Sequence, residues 1–203
     1  SSLTGLKLMW ISNGYDVDEN DDEMQQIQGG VTTWISSALS PSQLTQLRHL
    51  WLFYDKSKVD TNSITGWLKE MPRLRSFNLS SDPDAVWANP LHIPPLIELS
   101  RLQIFCLSTL PLELYVPVLP SLKSFLVAGH SFESPSWLPN LEEMTALVSL
   151  RWMSNPPDFL AIFNHLPPQL EKVHFIMMNP VVLSNNERDT IWTNLMKLTQ
   201  LTC

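Results

Sequence analysis

One apolar phrase organises this chain: an apolar residue, two variable positions, a second apolar, one variable position and a third apolar. Leu3-Thr4-Gly5-Leu6-Lys7-Leu8-Met9-Trp10-Ile11 lies over Leu44-Thr45-Gln46-Leu47-Arg48-His49-Leu50-Trp51-Leu52 almost letter for letter. The phrase recurs as Leu74/Phe77/Leu79, Leu102/Phe105/Leu107, Leu122/Phe125/Val127, Leu147/Leu150/Trp152, Leu170/Val173/Phe175 and Leu198/Leu201/Cys203. Its second half alternates apolar and variable positions, the period of a strand with one face buried. On this alignment the leads are residues 6, 47, 74, 102, 122, 147, 170 and 198, with steps of 41, 27, 28, 20, 25, 23 and 28. A unit returning at such intervals predicts a quasi-one-dimensional stack in which each copy packs on its neighbours.

The eight copies resemble the L-x-x-L-x-L opening of the leucine-rich repeat superfamily, and the resemblance spans the whole chain. It implies an α/β solenoid of irregular leucine-rich repeats, about eight of them in a single domain over residues 1–203. A curved parallel β-sheet would line the concave face, with mixed helical and extended segments on the convex side. The chain departs from the family eight residues after each lead. The expected Asn or Cys is replaced by Gly14, Asp55, Asp82, Leu110, His130 and Met178, and only Asn155 fits. Solenoids of this kind need polar caps, and the chain starts on one phrase and stops inside another, so it reads as part of a longer protein.

The connections are of two kinds. Residues 31–39, 63–71, 158–166 and 187–197 predict helices. Ile64, Trp67, Leu68 and Met71 recur at helical spacing behind a cap drawn from Thr61, Asn62 or Ser63, and Ile191, Trp192, Leu195 and Met196 repeat that spacing. On this spacing Trp67 and Trp192 are core residues, as is Trp152 in its phrase, while Trp34, Trp87 and Trp137 pack on the convex side. The middle connections instead hold Pro83, Pro90, Pro94, Pro95, Pro111, Pro117, Pro120, Pro135 and Pro139. Proline removes a backbone donor and breaks helices, so these segments are expected to be extended or turn-rich, and the stack to flatten in its middle. Residues 13–30 form an acidic loop insertion ending in Gly29-Gly30.

Charge changes this picture little. The formal net charge is −7, of which Asp16, Asp18, Glu19, Asp21, Asp22 and Glu23 supply six. Asp16-x-Asp18-x-Asn20-x-Asp22 opens like a calcium loop, but Asp21 and Ile27 stand where Gly and Glu are required, so it reads as a solvated acidic loop. With no basic stripe, nucleic acid is not an expected partner. No stretch is long and apolar enough for a membrane span or signal segment, so no membrane partner is expected either. Cys106 and Cys203, on the fourth and eighth phrases, would sit about 19 Å apart, too far for a disulfide. Two free thiols suit a reducing, cytoplasmic setting.

The five histidines, His49, His92, His130, His165 and His174, show no metal-ligand spacing. No nucleophile motif, phosphate-binding glycine loop or C-x-x-C is present, so neither catalysis, metal nor cofactor is expected. What remains is the outward side of the strands. With each apolar triplet pointing inward, the alternate positions point outward. These are Leu8, Trp10 and Ser12; His49, Trp51 and Phe53; Ser76, Asn78 and Ser80; and Ile104, Cys106 and Ser108. They continue as Ser124, Leu126 and Ala128; Ser149, Arg151 and Met153; Lys172, His174 and Ile176; then Gln200 and Thr202. Exposed aromatic and Arg side chains dominate interface energies. The partner-binding candidates are accordingly Trp10, His49, Trp51, Phe53, Asn78, Arg151, Met153, Lys172 and His174.

The expected function is non-catalytic recognition of a protein partner through the concave face. The alternative is a structural or autoinhibitory segment packed against other domains of its parent. The resemblance implies two parent contexts, an intracellular immune receptor and an F-box-type ubiquitin-ligase adaptor. The phrase Leu119-Pro120-Ser121-Leu122-Lys123-Ser124-Phe125 leans toward the plant immune-receptor type.

Overall fold

The alternating phrases do form strands. The computed structural model describes residues 4–10, 41–54, 58–59, 61–82, 86–87, 89–106, 113–129, 136–154, 161–177, 183–198 and 200–201. Numbered in chain order, β1 (Gly5–Trp10), β2 (His49–Tyr54), β4 (Ser76–Ser81), β7 (Arg101–Cys106), β9 (Ser124–Gly129), β10 (Ser149–Ser154) and β11 (Lys172–Met177) lie side by side. Every neighbouring pair is parallel, giving an open seven-stranded sheet in which spatial order follows chain order.

The same backbone device starts each strand after the first. The carbonyls of Thr4, Arg48, Arg75, Ser100, Lys123 and Val148 each accept from two successive amides of the next strand's entry, at 2.8–3.1 Å. A second device precedes it. The amides of Leu47, Leu74, Leu99, Leu122, Leu147, Leu170 and Leu198 each donate to the carbonyl three residues earlier, closing a turn. The residues three before the first six of these, Leu44, Met71, Leu96, Leu119, Met144 and Pro167, are themselves buried. The motif that the backbone uses is therefore an apolar residue, a Leu three residues on, then the strand's two inward apolar positions.

The inward positions stack in two columns. Leu50, Phe77, Leu102, Phe125 and Leu150 form one, and Leu52, Leu79, Ile104, Val127 and Trp152 the other, all buried. Val173 and Phe175 continue both columns, partly buried against the same core. Each such side chain contributes about 1.5–3 kcal/mol through removal from water. Because each column is filled from a different strand, the core holds the whole sheet together.

This register corrects two of the alignments. Leu6 pairs with Leu50 and Leu8 with Leu52, so the first phrase is Leu3/Leu6/Leu8, three residues earlier than the letter-for-letter match. Likewise Leu102 pairs with Phe77 and Ile104 with Leu79, so the fourth phrase is Leu99/Leu102/Ile104. Ile104, expected to point outward, is wholly buried. The cause is visible in the turns: leucines at residues 44, 47 and 50, and again at 96, 99 and 102, recur every third position. The pattern can slide by one turn without losing a match, and an odd slip exchanges the two faces of a strand. With this correction the steps from Leu47 become 27, 25, 23, 25 and 23 residues.

The connections follow the proline distribution. Helix α2 (Thr61–Lys69), after the short α1 (Pro41–Leu44), buries Ile64, Trp67 and Leu68, with Met71 buried beyond its end. Thr61 is already helical, and it does not act as the cap. Its hydroxyl donates to the Asn89 carbonyl at 2.7 Å, and that of Thr65 to His92 at 3.0 Å. In their described parts the proline-rich segments are extended or turned, as expected: β3 (Lys58–Val59) pairs with β5 (Val86–Trp87), β6 (Leu91–His92) pairs with β8 (Leu114–Tyr115), and residues 136–139 form turns. Later connections are α3 (Asn140–Glu143), a 3₁₀ turn at Ile162–His165, and α4 (Asn185–Leu195). Of the helix expected over 158–166, the described residues show Ala161 in α-helix followed by a 3₁₀ turn over Ile162–His165.

Trp192 and Met196 depart furthest from expectation. They are 67 % and 69 % exposed, while Ile191 and Leu195 of the same helix pack partly against the core. The helix is rotated so that two of its four apolar positions face outward. The eighth phrase contributes its turn and a buried Leu198, but Gln200 and Leu201 are not in a strand. The helix expected over 31–39, the acidic insertion 13–30, and Ser12, Ser108, His130, Thr202 and Cys203 lie outside the described residues.

Candidate functional site

The outward positions of the seven strands fall into three rows, because parallel in-register pairing places equivalent residues side by side. The row nearest the strand starts reads Gly5, His49, Ser76, Arg101, Ser124, Ser149 and Lys172. The middle row reads Lys7, Trp51, Asn78, Gln103, Leu126, Arg151 and His174. The third reads Met9, Phe53, Ser80, Phe105, Ala128, Met153 and Ile176.

Eight of the nine candidates from sequence stand on this face. His49, Trp51, Arg151, Lys172 and His174 are exposed, and Phe53, Asn78 and Met153 are half-buried. The register pairs Trp10 with Tyr54, and the Trp10 side chain lies outside the described residues. The face also has Lys7, whose ammonium lies 3.6 Å from the centre of the Trp51 ring. Such a cation over an exposed indole is worth about 0.5–1 kcal/mol, and it holds Trp51, 39 % exposed, in one orientation.

The slipped fourth phrase hid three face residues: Arg101, Gln103 and Phe105. The signal that finds them is Leu96-x-x-Leu99-x-x-Leu102, whose first leucine marks the turn. These side chains are organised. The Asn78 and Gln103 amides meet at 2.9 Å, and the Ser80 hydroxyl donates to Asn78 at 3.1 Å. With the Gln103 amide turned so that its oxygen faces Arg101, that oxygen accepts from two guanidinium nitrogens at 2.9 and 3.2 Å. That turn removes the donor–donor contact with Arg101 and brings the Gln103 amide nitrogen to the Asn78 amide, which must turn with it so that its oxygen accepts and its nitrogen faces the Ser80 hydroxyl. The sequon Asn78-Leu79-Ser80 thus lies within the strand, its Asn amide engaged and its Leu79 buried.

The electrostatics of the face are one-sided. Lys7, Arg101, Arg151 and Lys172 are cations, and no outward position of the seven strands carries a carboxylate. Arg75 forms an ion pair with Glu98 at 3.2 Å before the strands, and His165 meets Glu142 at 2.7 Å in the connections. His49 and His174, on β2 and β11, are about 24 Å apart at five strand spacings and cannot share a ligand.

A scan against protein-family models and comparisons with curated proteins and solved structures found no match. The site is therefore described by its own chemistry. Among the described residues, no group of three His, Cys, Asp or Glu side chains is placed to hold a metal ion. No helix among them is long and apolar enough to cross a membrane. The face offers a rigid, regularly spaced array of donors and apolar side chains, which suits recognition.

Proposed function

We propose that this chain is an irregular leucine-rich-repeat solenoid that recognises a protein partner through the exposed face of its sheet, without chemistry of its own. The observation that carries this reading is the contrast across each strand: two stacked columns of apolar side chains inward, and outward an exposed set of Trp51, Arg101, Arg151, Lys172 and His174 on a fixed lattice. The backbone of paired strands loses little further freedom on binding, which lowers the entropic cost of association. The uniform Leu-led turn and the carbonyl that collects two amides at each strand start support the repeat assignment. The setting is a cytoplasmic one.

The test is affinity capture from cells expressing the parent protein, comparing this chain with its Trp51→Ala variant. Both must give the same circular dichroism spectrum. Loss of a captured protein in the variant supports recognition through the face. An identical captured set for both chains sinks the proposal.

A second reading rests on Trp192 of α4 and Met196 just past its end, four residues apart and both exposed. An exposed apolar pair of this size marks a contact surface, and it suits packing against other domains of an immune receptor or ubiquitin-ligase adaptor. In that case Trp192→Ser would release an interdomain contact while leaving capture through Trp51 intact.

A further inference from the structure

Resting on the reading that the sheet face binds protein, we propose that the bound segment is acidic and extended, and that it lies across β7 to β11. Its carboxylates would face Arg101, Arg151 and Lys172, and its apolar side chains Phe105, Met153 and Ile176.

The first ground is charge. Acids outnumber bases twenty to thirteen over the chain, whose net charge is −7. The outward positions of the sheet nevertheless hold four permanent cations and no acid. Six of the acids lie in residues 13–30, and the remaining fourteen nearly balance the thirteen bases, so composition alone predicts an even mixture on the sheet. Arg151 and Lys172 are diagonal neighbours on adjacent strands, about 7–8 Å apart at the backbone, and neither forms an ion pair within the described residues. Two like charges this close repel, and an anion placed between them removes that cost. Arg101 is held in position by Gln103, so its guanidinium is oriented for a carboxylate before any ligand arrives.

The second ground is the order of the rows. From β7 to β11 the first two rows hold the cations, whereas the third is wholly apolar: Phe105, Ala128, Met153 and Ile176, the last 45 % exposed. Successive rows are about 7 Å apart, two residues along a strand. An extended peptide alternates its side chains to opposite sides with the same geometry. A segment crossing the strands with acidic and apolar residues in alternation therefore meets both rows at once. Three strand spacings, about 14 Å, correspond to four or five extended residues, at about 3.3 Å each. A nucleic acid fits less well. Its phosphates would use the cations, but the third row is apolar and offers no donor to a sugar–phosphate backbone.

The experiment pans a random peptide display library against the complete 203-residue chain, then measures three fluorescent probes: a Glu/Leu alternating peptide, its Lys/Leu counterpart and a single-stranded oligonucleotide. Selected peptides are expected to be enriched in acid–apolar alternation. The Glu/Leu probe is expected to bind more tightly than the other two, to weaken with added salt, and to lose about tenfold or more in affinity with Arg151→Glu/Lys172→Glu. Because a double reversal on exposed positions can be checked for folding by circular dichroism, the decisive result is reversed preference: the variant should select the Lys/Leu probe. Selected peptides without an acidic bias, equal binding of the two peptides, or tighter binding of the oligonucleotide would overturn the acidic assignment. If such peptides still depend on Trp51, recognition through the face survives. If no selected peptide responds to any face substitution, that reading fails as well.

Discussion

Each strand of the sheet presents two faces built on opposite rules. On the inward side, Phe77, Leu102, Phe125 and Leu150 could exchange identities with modest cost, because all they need is volume and the absence of polar atoms. On the outward side, no two strands carry the same triplet: Trp51 flanked by His49 and Phe53 on β2, three small polar residues on β4, Arg151 between Ser149 and Met153 on β10. Packing fixes the first face, and it leaves the second free to vary without loss of fold. Variation on a rigid lattice is what a recognition surface requires, which is why the difference between the faces carries the functional argument.

The comparison breaks most visibly in stability. Phe77→Ala, at a wholly buried position between β2 and β7, is expected to cost about 3–5 kcal/mol. Its neighbour Ser76→Ala, on the outward side, is expected to change stability by no more than about 0.5 kcal/mol. Urea unfolding of the two variants measures both. Equal destabilisation would mean that the two faces are not distinct in the way described.

A sharper version tests the register of β7. Leu102 is buried, whereas Phe105 is half-buried on the face. Leu102→Ala is expected to cost about 2–5 kcal/mol, and Phe105→Ala clearly less. In the slipped alignment both would be core residues, and Phe105, as the larger, would cost more. The same denaturation experiment decides between them.

The slip shows how far the sequence could be read. The strands, their parallel order and most of the core were legible, because apolar residues at fixed offsets have only one way to be buried together. Trp51, Arg151 and Lys172 followed from that alternation. Arg101 and Phe105 did not, since leucines every third residue in the turn let the phrase slide with no penalty in pattern. Only pairing with a neighbouring strand removes that ambiguity. Trp192 failed for a related reason. Helical spacing says which residues share a face, but the rotation of α4 about its axis is set by what it packs on, and Ile191 and Leu195 took the inward places.

Within the outward face, Lys7 and Trp51 provide a smaller test. Lys7→Ala removes the cation over the indole ring and is expected to reduce stability by about 0.5–1 kcal/mol. The more direct reading is spectral: Trp51 emission should shift to the red as the ring loses its cover. Comparison with the Trp51→Phe background isolates this ring among the eight tryptophans. An unchanged difference spectrum would show that the contact does not persist in solution.

The smallest effect lies away from the sheet, at the start of α4, and depends on pH. The Ser184 hydroxyl and backbone amide each lie 2.7 Å from the Glu187 carboxylate, and the Ser184 oxygen in turn accepts from the Glu187 amide at 3.3 Å. This reciprocal pair satisfies backbone donors that the helix cannot pair internally. The Ser184 hydroxyl, followed by its backbone amide, holds the Glu187 carboxyl below its ordinary range. A carboxyl whose value is lower in the folded state than in the unfolded chain adds stability above the unfolded value, and that addition is lost as pH falls through the folded one. Helix α4 should therefore fray on acidification, seen as faster amide exchange over Asn185–Leu195. The Glu187→Gln variant keeps the side chain's shape but not its charge, so its exchange should show no such step. The same acid dependence in both proteins would mean that another group controls the end of this helix. Fraying here should leave binding through Arg101, Arg151 and Lys172 unchanged, because the sheet holds those residues in place and the helix does not.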